Sequence, residues 1–169
     1  MPWRPRVSAR CSLNTSHGIH FFAEHPDEWN RLAGDPTLLG TAIDEILRSA
    51  SPVLHFRRTA TRDTELGGQA IAAGDPVVMF FESANRDDDV FEDPFRFDIA
   101  RDPNPHVAFG GGGAHFCLGA NLARAQLRVL FGRLAERVRS FEADQPAYLV
   151  SNFIHGIKRM HVAVNPLNA

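Results

Sequence analysis

The run Phe109-Gly-Gly-Gly-Gly-Ala-His115-Phe-Cys117-Leu-Gly119 decides how this chain is read. Consecutive glycines let the backbone come close to a large flat ligand or adopt positive φ. Cys117 stands immediately before the longest helical pattern, Leu118 to Val138. The positive end of that helix's dipole lowers a thiol's pKa and favours the thiolate. A thiolate there serves as a nucleophile or as a metal ligand, and first-turn N–H groups can bond the sulfur and tune it. Blander readings compete. A lone cysteine is most often a small buried hydrophobe, and a glycine loop before a helix is most often a phosphate cradle or a turn. No Gly-Lys-Ser/Thr follows these glycines, so the phosphate-loop reading fails. The dinucleotide fingerprint fits poorly, because no clear strand ends just before them.

Outward from this run, Leu122, Ala125, Leu127, Val129, Leu130, Leu134 and Val138 spread over a broad arc of the following helix, which is therefore expected to be mostly buried. Residues 83–114 lack periodicity and carry Pro94, Pro103 and Pro105. A connection of that length is usually functional or disordered, and Phe91, Phe95, Phe97 and Phe109 favour an ordered, packed loop. Further upstream, Val53 to Phe81 alternates short apolar runs with turn residues and predicts a small antiparallel sheet. Asp35-Pro36 is a helix start whose pattern runs to Ser51, with Leu39, Ile43, Ile46 and Leu47 as its apolar stripe. Pro26 to Ala33 predicts a short helix, and Ser16 to Glu24 the end of another. The tail from Tyr148 to Val164 predicts two short strands around His155-Gly156.

Composition narrows the class. The chain has 169 residues, 44% hydrophobic and 22% charged, with formal net charge -2. This suits a globular protein and offers no basic surface for nucleic acid. No apolar run reaches the length of a membrane span. Two cysteines, Cys11 and Cys117, do not make a disulfide scaffold, although a single bridge between them is left open. Residues 1–15, with Arg4, Arg6 and Arg10 and no acid in the first twelve, are expected to be an atypical, disordered or mis-assigned start.

The run from Phe109 to Gly119 resembles the signature of the cytochrome P-450 family, in its extended-glycine form similar to actinobacterial methyl-branched lipid and sterol hydroxylases. Cys117 stands eight positions after Phe109, one more than the family's usual spacing. Glu45 and Arg48, three apart on a helix, lie off its apolar stripe, so by themselves they read as a solvent-facing ion pair of little energetic worth. The resemblance reverses this: Glu-x-x-Arg is similar to the family's buried pair, and Arg96 matches the third position, an arginine from the loop before the haem site. The resemblance implies haem with iron held by the Cys117 thiolate, propionate contacts from Arg58 and His115, and cofactor contacts from Phe109, Gly111, Gly113 and Gly119. It assigns no catalytic residue. It implies a mainly α fold with small antiparallel β-sheets, the C-terminal portion of the P-450 fold over residues 16–169. Ser51 to Phe56 and Phe153 to Gly156 resemble its substrate-facing segments.

The implied reaction is insertion of one oxygen atom from O2 into a C–H bond of a small hydrophobic, lipid or sterol-like substrate. Electrons would come from a ferredoxin and its reductase in the cytoplasm. Arg124 and Arg128 are candidate contacts for that donor, against the plainer reading of a solvated face. Aligned on Ser16-His17-Gly18, the family's proton-delivering acid and alcohol fall near Ala9, Arg10 and Cys11, which supply neither. The N-terminal half of the fold is missing from this reading. A truncated product with weakened haem binding and turnover, and with apolar faces left exposed, is the expectation. A non-catalytic remnant or haem-binding module is the alternative, and a nucleophilic cysteine enzyme a third class.

Overall fold

A computed structural model describes residues 13–167. Positions 9–11, and with them Cys11, lie outside it. Helix α1 (Leu13–Glu24) turns at His25 into α2 (Pro26–Gly34), whose proline sits where its missing N–H costs nothing. Asp35 caps the next segment: its carboxylate accepts from Thr37 N at 3.0 Å and Thr37 Oγ1 at 2.6 Å. The expected single helix is divided into a 3-10 turn (Pro36–Leu38) and α3 (Leu39–Ala50). Ser51 ends α3 in the left-handed region, φ 38°, before Pro52.

The predicted sheet is two separate hairpins. Strand β1 (His55–Thr59) pairs antiparallel with β4 (Pro76–Phe80) and encloses the small β2 (Thr64–Leu66) and β3 (Gln69–Ile71) hairpin. A short helix, α4 (Phe81–Ala84), leads into the long loop. Phe91, Phe97 and Ile99 are buried and anchor that loop on the core, whereas Phe95 is exposed.

Helix α5 (Ala120–Ala135) is shorter than its pattern suggested. Its last expected residue, Val138, instead opens β5 (Val138–Ala143), which pairs antiparallel with β8 (Val162–Pro166). Between them, β6 (Ala147–Tyr148) pairs with β7 (Ile157–Arg159). The core lies where α1, α2, α3, α5 and β5 meet, around Phe22, Trp29, Leu32, Ile43, Ile46, Phe131 and Phe141. Trp29 packs edge-on against Phe141 at 4.7 Å and donates Nε1–H to Val138 O at 3.3 Å. That bond satisfies the one polar atom of an otherwise apolar anchor.

The expectation of a mostly buried α5 is corrected. Ala120, Leu127 and Phe131 are buried, but Leu122 and Val129 are exposed. One face of α5 packs on α3, and no described element covers the opposite arc. Periodicity reports that a face is apolar, not that something lies against it.

Candidate functional site

The cysteine loop follows from three positive-φ glycines. Gly110, Gly112 and Gly113 have φ of 93°, 96° and 78°, a region that side-chain-bearing residues rarely enter. These turns fold the chain back so that Cys117 N–H donates to Phe109 O at 3.0 Å, while Phe116 N–H donates to Gly113 O at 3.1 Å. Gly119 is the N-cap of α5, so Cys117 stands two residues before the cap at the helix's positive end. Gly111, Gly113, His115, Cys117 and Gly119 are all exposed, and the Cys117 thiol is free. Phe109 is half-buried, its ring 6.4 Å from Phe116 and edge-on to it.

Beneath the loop lies a buried polar cluster. Arg48 donates Nε–H to Glu45 Oε2 at 2.8 Å and Nη2–H to Glu45 Oε1 at 2.7 Å, with both side chains almost fully buried. Arg48 Nη1 bonds the carbonyls of Asn85 and Pro94, each at 2.7 Å. The third guanidinium is not that of Arg96. Arg101 stands 3.3 Å from Glu45 Oε2 and also bonds the carbonyls of Glu92, Asp93 and Arg96. Arg96 contributes only its backbone oxygen, which accepts from Arg48 and from Arg101, each at 3.1 Å. The physical reason is alternation along the loop: Phe97 and Ile99 take the inward places, which turns the Arg96 side chain outward.

Asn85 and Asn104 complete this cluster. Asn85, fully buried, donates to Ser51 Oγ at 2.9 Å and accepts from Val107 N at 2.7 Å. Asn104 donates to Glu45 Oε2 at 3.0 Å. The loop gives them no periodic signal.

Arg124 is not a free surface charge. It donates Nε–H to Asp44 Oδ1 at 2.8 Å and lies over the Phe109 ring. Burial pushes the Asp44 carboxyl up, but hydrogen bonds from His106 and Arg124 outweigh it and hold the group below its usual range. Arg128 is exposed.

On another side, Ser51 to Phe56 and Phe153 to Gly156 lie side by side. Leu54 N–H donates to Phe153 O and His155 N–H to Pro52 O, both at 3.0 Å, and Phe56 meets Phe153 edge-on at 5.5 Å. Arg58 lies on the exposed part of β1, over the Phe56 ring at 5.5 Å, with Nη1 on Arg57 O at 3.0 Å.

The sequence model of the family described as Cytochrome P450 matches residues 27–147. The chain belongs to the cytochrome P450 family. It is 51% identical over 149 residues to a methyl-branched lipid omega-hydroxylase of Mycobacterium tuberculosis, covering 87% of this chain and 35% of that one. It is 48% identical over 148 residues to a steroid C26-monooxygenase of the same species, covering 87% and 34%. A solved Mycobacterium marinum cytochrome P450 in complex with pseudoionone superposes with TM-score 0.86 at 50% identity, covering 89% of this chain and 36% of that one. The chain therefore spans about a third of the length of the curated relatives it matches, and its fold is part of the cytochrome P450 fold. Among the described residues no helix is long and apolar enough to cross a membrane.

The family implies haem, and the residues here suit it. The site offers one soft donor, Cys117, suited to iron. Gly112 and Gly113 present backbone where even a Cβ would meet no atom within 4 Å, so a flat macrocycle can lie close.

Proposed function

We propose that this cytochrome P450 chain holds haem through the Cys117 thiolate and carries the proximal side of a monooxygenase. The substrate would be a lipid or sterol-like molecule and the chain would act in the cytoplasm, with a ferredoxin and its reductase supplying electrons. The observation that carries the reading is the exposed Cys117 at the foot of α5, held by Phe109 O at the end of an open glycine loop. When bound, thiolate-ligated haem supplies activation of O2 for insertion of one oxygen atom into a C–H bond.

The chain's own residues do the holding and orienting. Phe109 O fixes the cysteine amide, Gly111 and Gly113 keep the loop free of side chains, and Gly119 starts the helix whose N-terminus faces the sulfur. Arg58 and His115, exposed cationic or hydrogen-bonding side chains, are the proposed partners of the haem propionates. Glu45, Arg48 and Arg101 fasten the long loop beneath and have a structural part. The substrate class rests on the lipid and steroid hydroxylases among the relatives. The adjoining 51–56 and 153–156 segments, with Phe56 and Phe153, are the surface proposed to meet it.

Haem titration followed by the reduced, carbon-monoxide difference spectrum tests this. A thiolate-type Soret band, lost in Cys117→Ser, is expected. Its absence from the wild-type protein overturns the reading. Substrate-dependent oxygen uptake with a ferredoxin then separates a monooxygenase from a module that only holds haem.

A further inference from the structure

Two side chains from outside the glycine loop, Arg124 and His106, meet at its first residue, and Asp44 binds both of them. Arg124 of α5 places its guanidinium carbon 4.8 Å from the Phe109 ring centre. Its Nε donates to Asp44 Oδ1, on α3, at 2.8 Å. His106 Nε2 reaches the same oxygen at 3.3 Å, and its ring lies 6.1 Å from that of Phe109. The Ala108 amide donates to His106 Nδ1 at 3.2 Å, which places the proton of the neutral ring on Nε2, facing Asp44. The His106 side chain is 3% exposed, Arg124 25% and Asp44 33%, so this is a part-buried assembly and not a solvated pair. The Phe109 carbonyl, in turn, holds the Cys117 amide at 3.0 Å.

We propose that Asp44 is a positioning residue for the Cys117 sulfur, acting through Arg124 and His106 to fix Phe109. One carboxylate ties α3, the loop and α5 together at the point where the loop begins. Without it, the Arg124 guanidinium has no counter-charge beside the ring, where a cation held over an aromatic face is attractive. His106 also loses its charge-assisted acceptor. Phe109 then loses its anchors, and the loop backbone that presents its carbonyl to Cys117 loosens with it. Arg124 belongs to this clamp before it is available to any partner. The consequence for iron rests on the haem-thiolate reading above, while the clamp itself is a property of the chain alone.

Residue-resolved hydrogen exchange of Asp44→Asn and Arg124→Gln tests the clamp without cofactor. The Cys117 amide is expected to exchange about tenfold faster in both, while the Val107 amide, held by Asn85, and the urea midpoint stay as in wild type. Asp44→Glu, which keeps the charge, is expected to restore most of the protection. Wild-type exchange at Cys117 in both variants, or a uniform acceleration of all amides, overturns the proposal. In haem-loaded protein, Asp44→Asn is expected to shift the reduced carbon-monoxide spectrum from the thiolate-type toward the thiol-type band. An unchanged spectrum in a variant whose loop has loosened overturns the positioning role. If the wild-type chain takes up no haem, the haem reading fails, and the exchange experiment still decides the clamp.

Discussion

Arg48 and Glu45 meet side-on through two hydrogen bonds, 2.7 and 2.8 Å, at a place where neither side chain reaches water. A buried pair of this kind repays its desolvation only while every donor and acceptor is used, and removing one partner leaves an uncompensated charge. Glu45→Gln is expected to cost about 3–5 kcal/mol in urea unfolding. Arg96→Ala, whose side chain lies outside the cluster, is expected to stay within about 0.5 kcal/mol of wild type. Equal losses in the two variants would contradict the placement of Arg101 as the third guanidinium.

His17 should make the fold acid-sensitive. Burial is the main cause lowering its pKa to about 4 from 6.5, opposed by a hydrogen bond to His155 O and assisted by the charges of His155 and His20. The folded state therefore prefers the neutral ring, and the unfolded state binds the extra proton between those two values. Stability from this group is fully present above pH 6.5 and falls as the pH drops toward 4. By linkage the loss approaches about 3 kcal/mol. Urea titrations across that window should show the slope, and His17→Gln should flatten it. A slope unchanged by the substitution would assign it to other groups.

Gly18 marks a close approach between helices α1 and α5. A Cβ there would stand 2.5 Å from Phe131 Cζ and 3.1 Å from Ile46 Cδ1, and Phe131 is fully buried. Gly18→Ala is expected to destabilise by about 1–3 kcal/mol through overpacking, despite alanine's better helix propensity. Phe131→Leu in the same chain should recover part of the loss. Thermal unfolding of the single and double variants checks both.

Cys117→Ser separates chemistry from stability. The thiol is exposed and donates nothing to the core, so the change should lie within about 0.5 kcal/mol in urea unfolding. The thiolate-type haem spectrum should nonetheless disappear. A large fall in stability would show that the sulfur is part of the packing.

Much of this is legible in the amino-acid sequence. Caps and prolines at Pro26 and Asp35-Pro36 placed helix starts to within a few residues, because their backbone consequences are local. Cys117 and the glycines announced the loop, because positive φ is a property of single residues. The Glu45–Arg48 pair was misjudged by the helical wheel alone, since a wheel does not know that a loop will cover the polar face. Arg101 and Asn85 were unassigned because their partners lie 56 and 37 residues away and the loop has no period to read.

By itself, then, the sequence determined a helix–hairpin–loop–helix order and a cysteine at a helix start behind a run of glycines, all set by local backbone chemistry. Only the tertiary structure decided which arginine faces Glu45, which arc of α5 is covered, and that Asp44 joins the two side chains, His106 and Arg124, that lie against Phe109. Those are choices among long-range contacts, and they depend on which side chains the core leaves room for.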